Sequence, residues 1–345
     1  MTTMPNLNTV TFPDVVKLAD VIWVNEMEKL NIEIRGSGIF REKVWEANSG
    51  DTREYSEFDT NQYARNKDEG AEAQESLIQV GYSKIARLVR RAENTSVTWE
   101  MRNRNKYDKF INDITMLPEK IAGRMELDMQ HRITFMTATS YTDMDGKTID
   151  TSLGDSKALT ATDHPLKASS DTYRNLLAGN PRLSQGAMEA IERQAIENTL
   201  DHFGTKKTVP YDILWTTDDP TDVHMARKLL QSSAEVAAPN NGVINVYRGK
   251  YKHVVLSRVA TDATGAPDSD KAHYWGIASS KYTTAYLAME QEPTMLKPMV
   301  AGKELTFENA EDVGTDNLTW RGRGSYSICI VGARWIHASQ GDGSA

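Results

Sequence analysis

The sequence predicts an α+β protein, and three stretches carry that reading. Residues 59–76, DTNQYARNKDEGAEAQES, hold almost nothing apolar and lie between extended segments, the pattern of a two-stranded ribbon with a hydrophilic tip. Leu117, Ile121, Met125, Met129, Ile133 and Met136 recur at helical spacing and mark a long helix with one apolar stripe. From Ser184 to Leu256 the periodicity runs helix, strand, helix, strand, strand.

In chain order, residues 1–44 mix short apolar runs (Val15-Val16, Val21 to Val24, Leu30 to Ile32) with polar breaks, as an arm carrying a short helix would. Lys43-Val44-Trp45-Glu46 leads into the ribbon. Leu77 to Tyr82 and then Ser96 to Met101 lead out of it, with β-branched and aromatic residues at alternate places. A lone ribbon is marginal in water, so this one is expected to lie against something. The long helix is expected to have Pro118 in its first turn, where the missing N–H costs nothing, and 20 residues of it would span roughly 30 Å.

Residues 140–182 are rich in loops, with turns at Asp145-Gly146 and Gly179-Asn180-Pro181. A second helix is expected from its N-cap Ser184, through Met188, Ile191, Ala195, Leu200 and Phe203, to a stop at Gly204. Thr208 to Trp215 reads as a strand, and Asp219-Pro220 opens a third helix through Val223, Ala226, Leu229 and Leu230. GVINVYRGKYKHVVLS, Gly242 to Ser257, then reads as a strand, a basic turn and a second strand. Beyond it the sequence predicts a surface excursion at 262–267, a strand at Tyr274 to Ala278, a short helix near Tyr282 to Met289, and strands at Leu305 to Phe307 and Tyr326 to Trp335.

Composition narrows the function. The 345 residues carry a net charge of −8, which argues against a protein-wide electrostatic grip on nucleic acid. Charge is unevenly placed: residues 50–75 hold eight acids against three bases, and residues 82–109 hold eight bases against three acids. The opening MTTMPNLNTVTFPDVV lacks a basic segment followed by an apolar core, and no apolar stretch reaches spanning length, so a soluble protein without an export signal is expected. Cys329, the one cysteine, sits in Ser-Ile-Cys-Ile-Val and reads as a buried strand residue rather than a nucleophile.

Searches for chemistry return little. There is no P-loop and no nucleophile elbow; Gly322-Arg323-Gly324-Ser325-Tyr326-Ser327 fails the dinucleotide fingerprint, lacking its third glycine. Seven histidines are scattered without metal-ligand spacing. Asp218, Asp219, Asp222 and His224 could ligate a metal, but acids in the first turn of a helix opening at Pro220 serve equally as caps. Asp143-Met144-Asp145-Gly146 resembles the start of a calcium loop but has Gly154 at the twelfth place, and reads as a hairpin turn. Arg248-Gly249-Lys250 reads as a basic turn, since no helix follows to aim N–H groups at a phosphate. No catalytic, cofactor-binding or metal-ligating residue is assigned.

The order of parts, with Gly81-Tyr82-Ser83-Lys84, Val97 to Met101, Ala226 to Leu230, Ile244-Asn245-Val246, Gly249-Lys250-Tyr251 and Trp320-Arg321-Gly322, resembles the major capsid proteins of tailed bacteriophages. That is the Hong Kong 97-type fold, and within it the Mu-type major head subunit group. The resemblance implies an N-terminal arm over 1–42, an extended loop over 43–100, a peripheral domain with a spine helix over 101–165 and 290–345, and an axial domain over 166–289. It implies a non-enzymatic structural protein without cofactor, forming hexamers and pentamers of an icosahedral shell around double-stranded DNA. Contact with that DNA would be weak and non-specific. Scaffolding, with the architecture beginning inside the first 45 residues, would come from a separate protein, beside a portal and decoration proteins, and the protein would reside in the virion after assembly in the host cytoplasm. Some members crosslink through Lys and Asn; Lys67 and Lys84 lie in the loop, but nothing fixes their partners. Alternative readings are an encapsulin-like compartment and, from another class, a metal-dependent hydrolase using the Asp218 to His224 cluster. The acidic block of the loop is expected to meet the basic block of a neighbouring copy.

Overall fold

The computed structural model describes residues 12–29, 33–46, 50–60, 63–64, 66–70, 72–73, 75, 78–104, 106–233, 244–296, 299–300, 303–304 and 317–343. In chain order its elements begin with α1 (Phe12–Lys29), β1 (Arg41–Val44), β2 (Thr52–Thr60), β3 (Ile78–Arg87), β4 (Val89–Thr98), α2 (Trp99–Asn103) and α3 (Asp108–Thr134). Two short hairpins follow, β5 (Ser140–Thr142) with β6 (Thr148–Asp150) and β7 (His164–Pro165) with β8 (Thr172–Tyr173). Then come α4 (Gln185–Asn198), β9 (Ile213–Thr217), α5 (Pro220–Gln231), β10 (Lys252–Leu256) and β11 (Trp275–Ala278). The chain closes with β12 (Ala285–Leu296), the small pair β13 (Met299–Val300) and β14 (Lys303–Glu304), β15 (Asn317–Ile330) and β16 (Ile336–Ser339).

Two four-stranded sheets organise these elements. The first runs β1-β12-β15-β4, with β1 parallel to β12 and the other pairs antiparallel. The first half of its long strand β15 alternates: Leu318, Trp320, Gly322 and Gly324 are buried, while Thr319, Arg321 and Arg323 are exposed. The buried side faces α3. Phe110 packs on Trp320 with ring centroids 4.7 Å apart, and the Tyr326 hydroxyl donates to Asp128 at 2.7 Å. α1 adds Ala19 to the cluster of Phe110 and Trp320, and its Trp23 lies beside Gly322.

The second sheet, β10-β9-β11-β16, is buried on both faces, and every residue of β9, β11 and β16 is buried. Trp215 and Ile213 face the core shared with Met125, Met129 and Ile133 of α3, whereas Leu214 and Ile277 face Met188 and Ile191 of α4 and Leu229 of α5. Burial on both sides is what permits the near-continuous apolar runs of these strands.

Several expectations are corrected here. The long helix starts at Asp108, so Pro118 lies inside it; Phe110, Ile111 and Ile114 are buried and extend the apolar stripe two turns upstream. That added burial outweighs the one backbone bond a mid-helix proline removes. The second helix does begin at the Ser184 cap, which accepts from Ala187 N, but ends at Asn198. Gly204, at φ +82°, instead closes a turn whose N–H groups at Phe203 and Thr205 donate to Asp201 Oδ1.

The strand-turn-strand at Gly242 to Ser257 is half right. Val254 to Leu256 lie in β10, but β10 pairs in parallel with β9 across the α5 crossover, and Ile244 and Val246 are exposed. Asn245 decides this. Its side-chain amide donates to Leu229 O and Ser232 O, and its Oδ1 accepts from Tyr247 N, so the segment closes the end of α5 instead of pairing as a strand. The helix expected near Tyr282 to Met289 is strand β12. Leu287 and Met289 enter the core on one face while Tyr286 and Ala288 are covered on the other, so the alternation that announces a strand is erased. The strand expected at Leu305 to Phe307, Val243 and the first residues of the arm lie outside the described residues. No described helix is long and apolar enough to cross a membrane.

Met129 is fully buried and Met116 is 56% exposed on the same helix. Met129→Ala is expected to lower unfolding free energy by about 2–5 kcal/mol and Met116→Ala by less than about 0.5 kcal/mol, read from urea denaturation. Burial also pushes the His131 imidazole down to about 4 and the His337 imidazole down to about 3. Both stay neutral in the native chain while the unfolded chain takes up protons below about pH 6.5. Their contribution is therefore complete above pH 6.5 and declines as pH falls toward 4; the urea midpoint is expected to drop over that window, with a shallower slope in His337→Gln.

Candidate assembly surface

β2 and β3 form the ribbon, antiparallel from Thr52↔Arg87 to Thr60↔Ile78, with a bulge between Ser56 and Phe58. The bulge keeps one set of side chains on each face. The inner face lies on the first sheet: Tyr55 stacks on Tyr286 at 5.0 Å, and Tyr55 and Ala86 pack with Cys329 and Val331. The outer face is uncovered. Phe58 and Val80 sit opposite each other at 67% and 47% exposure, beside Ile78 at 68% and Ile85 at 57%. Phe58, Val80 and Ile78 thus lie together as an exposed apolar patch, with Ile85 further along the same face beyond Ser56 and Ser83.

The ribbon is held down near its outer end by charge. Asp59 is 5% exposed; its Oδ2 accepts from Arg334 Nη1 at 2.7 Å and from His202 N at 3.2 Å, and its Oδ1 accepts from Lys207. Arg334 Nη2 lies 2.9 Å from the His202 ring, and Glu57 reaches His202 Nε2 at 3.4 Å. Burial opposes ionisation of Asp59, but Arg334 and Lys207 outweigh it and hold its carboxyl below the usual range. Close approach requires glycine at two places. A Cβ on Gly81 would stand 2.3 Å from His202 Nε2, and one on Gly332 would stand 1.8 Å from Glu57 Oε1. Beyond Asp59 the described tip residues, including Asp68, Glu69, Glu72 and Glu75, are all exposed.

The basic block meets its own chain more than expected. Lys84 pairs with Asp150, Arg91 with Asp128 at 2.9 Å, and Arg90 with Asp51 at 2.9 Å. Arg124 joins Arg91 on Asp143, whose carboxylate also accepts from Asp145 N and Lys147 N, so the calcium-like segment is the hairpin turn between β5 and β6. Sequence reasoning missed Arg334 and Lys207, which stand 275 and 148 residues from the Asp59 they hold.

The Asp218 to His224 cluster is not assembled as a ligand set. Asp219 caps α5 by accepting from Thr221 N at 2.9 Å, and His224 is exposed. Asp222 pairs instead with His273 Nδ1 at 2.9 Å. Burial pushes the Asp222 carboxyl up, with His273 opposing. Asp219, Asp222 and His273 do place three ligand-type atoms within 4.8 Å, but the Asp219 and Asp222 oxygens already serve a helix end and an ion pair. Cys329 is buried and its thiol is pushed up to about 11 by desolvation, as a structural strand residue requires.

A mixed α+β body of two sheets braced by one long helix, with a ribbon laid across it, has matches among solved structures. The capsid of Ralstonia phage GP4 aligns over 87% of this chain and 86% of its own, at 13% identity and a TM-score of 0.50. The mature capsid of bacteriophage PhiM1 aligns over 90% and 86% at 12% identity and 0.49, and a virus-like particle from Pyrococcus furiosus over 94% and 99% at 12% identity and 0.46. The likeness to the phage GP4 capsid shows a phage-capsid fold, as the sequence resemblance implied. No protein-family model matches the chain, and no curated protein does.

Removing the Asp59 carboxylate leaves Arg334 buried without its charge partner. Asp59→Ala is expected to cost about 3–5 kcal/mol and to expose the ribbon to limited proteolysis near residues 57–60, measured by denaturation and by cleavage-site mapping.

Proposed function

We propose that the chain is the major capsid protein of a tailed bacteriophage, of the Mu-type major head subunit group. Copies assemble into hexamers and pentamers of an icosahedral head that encloses double-stranded DNA. The observation that carries this reading is the ribbon, latched to its own body by Asp59 yet presenting Phe58, Ile78, Val80 and Ile85 to solvent, on a chain whose fold matches the phage GP4 capsid over most of its length. Covering that face with a neighbouring copy would remove apolar area from water at every repeat of a closed shell.

Within this proposal residues 1–42 are the arm, 43–100 the extended loop, 101–165 and 290–345 the peripheral domain with α3 as its spine, and 166–289 the axial domain. Scaffolding, portal and decoration proteins are its partners, and the virion is its location. The protein acts by geometry rather than catalysis. Bulk DNA contact is weak and salt-sensitive, since a chain of net charge −8 offers only local basic patches.

Negative-stain microscopy of the purified chain, alone and with its scaffolding partner, is expected to show closed hollow particles of megadalton mass, and deletion of residues 63–75 to reduce their yield and heat resistance. A compact monomer at all concentrations, or shells indifferent to the deletion, would sink the reading.

A further inference from the structure

Between β2 of the ribbon and the turn before β12 lies a recess of about 330 Å³. Ser56 and Phe58 from one face of β2 and Glu57 and Asp59 from the other all line it, so it follows the strand's edge, and among the described residues β2 pairs with β3 alone. Thr283, Arg334 and Trp335 give it a buried floor, whereas Arg41, Phe58 and Lys281 are exposed. Its charge is unbalanced. Arg41, Lys207, Lys281 and Arg334 line it against the two acids Glu57 and Asp59, and both acids are committed, Asp59 to Arg334 and Lys207 and Glu57 to His202. Arg41 Nη2 donates to Lys281 O at 2.8 Å, which ties the guanidinium to the backbone that carries Lys281, but among the described residues neither base has an ion-pair partner. The Lys207 and Lys281 ammoniums lie 5.9 Å and 5.7 Å from the centroid of one ring, Tyr282. Arg334 Nε is buried without an acceptor among the described residues, although both Nη atoms are engaged, and a bound acceptor would remove that cost.

We propose that this recess binds a phosphate-class oxyanion, as the free ion or as the monoester group of a small molecule, held by Arg41 and Lys281 at the mouth and by Lys207 and the spare Arg334 donor within. Three features select this ligand. Two cations without carboxylates match a dianion, whereas one carboxylate would leave the second unanswered. The donors stand on separate elements around the space, and the Ser56 hydroxyl beside them has no partner among the described residues, which suits a tetrahedral set of acceptors better than a planar one. Lys207 and Arg334 are largely buried, which favours a small solute over a polymer backbone. The ion would join Ser56 of the ribbon to Arg41 of β1 and to Lys281 before β12, so its binding fastens the ribbon a second time beside the Asp59 latch. The inference does not depend on whether copies assemble.

Equilibrium dialysis of the purified full chain against radiolabelled inorganic phosphate, at ionic strength held constant with chloride, is expected to show one saturable site per chain. Arg41→Gln with Lys281→Gln is expected to weaken it about tenfold, and Arg227→Gln with Lys228→Gln, two exposed bases of α5, to leave it unchanged. At about ten times its dissociation constant, phosphate is expected to slow cleavage near residues 57–60 about tenfold in the wild-type chain and not in the Arg41 and Lys281 variant. Ribose 5-phosphate in parallel separates the two sources: tighter binding than phosphate assigns a monoester, equal or weaker binding assigns the free ion, and both uphold the site. The proposal is overturned if neither compound binds saturably, if the two double variants weaken binding alike, or if bound phosphate leaves the cleavage rate unchanged. It is also overturned if a DNA duplex displaces the phosphate, which would assign the recess to nucleic acid. Should the Arg41 and Lys281 variant not fold by circular dichroism, Lys281→Ala alone replaces it: binding is expected to weaken about threefold, and unchanged binding overturns the proposal.

Discussion

A carboxylate taken almost wholly out of water fixes the geometry of the rest. Asp59 ionises in a buried position because Arg334 and Lys207 stand against it, and that attachment ties the outer end of the ribbon to a turn just before β16. A buried ion pair contributes little net stability over an apolar substitute, but it has one correct arrangement, and breaking it is costly. Its effect is therefore on position. With Asp59 seated, ordinary alternation along β2 turns Tyr55 inward and Phe58 outward, the extra β3 residue at the bulge keeps Val80 outward opposite Phe58, and the ribbon has one covered face and one exposed face.

That division works only on a stiff base. α3 supplies it, lying under the first sheet through Phe110, Leu117 and Ile121 and under the second through Met125, Met129 and Ile133. One helix thus joins two sheets whose strands are far apart in sequence. Arg91 and Arg124 on Asp128 and Asp143 add a partly buried charge network where the helix, β4 and the β5–β6 turn meet. Small shifts at one sheet are thereby felt at the other, because packed interiors deform as units.

Much of this was legible in the sequence, and the failures have physical causes. The ribbon, its polar tip, the α3 stripe, the Ser184 and Asp219 caps and the buried setting of Cys329 all depend on neighbours in the chain, and periodicity or capping chemistry reports such neighbours directly. β12 was misread because both of its faces are covered, which removes the period-two signal. The hairpin at Gly242 to Ser257 failed because Asn245 bonds to the end of α5, a tertiary demand invisible in a local window. Of the assembly surface, the acidic tip was legible. The latch was not, since Arg334, in the turn before β16, reaches Asp59 across 275 residues of chain.

The border of the first sheet has a further consequence. β4 is its outermost strand, ten residues long, and among the described residues no strand pairs with its free side. Such a rim invites uncontrolled polymerisation by hydrogen-bonded stacking of strands, the route to fibres. Here Arg90, Arg91 and Glu93 crowd it with charge, which makes such stacking less favourable. Under the proposed shell reading, such a guarded rim leaves contacts through faces, rather than strand-to-strand joins, as the way for copies to meet.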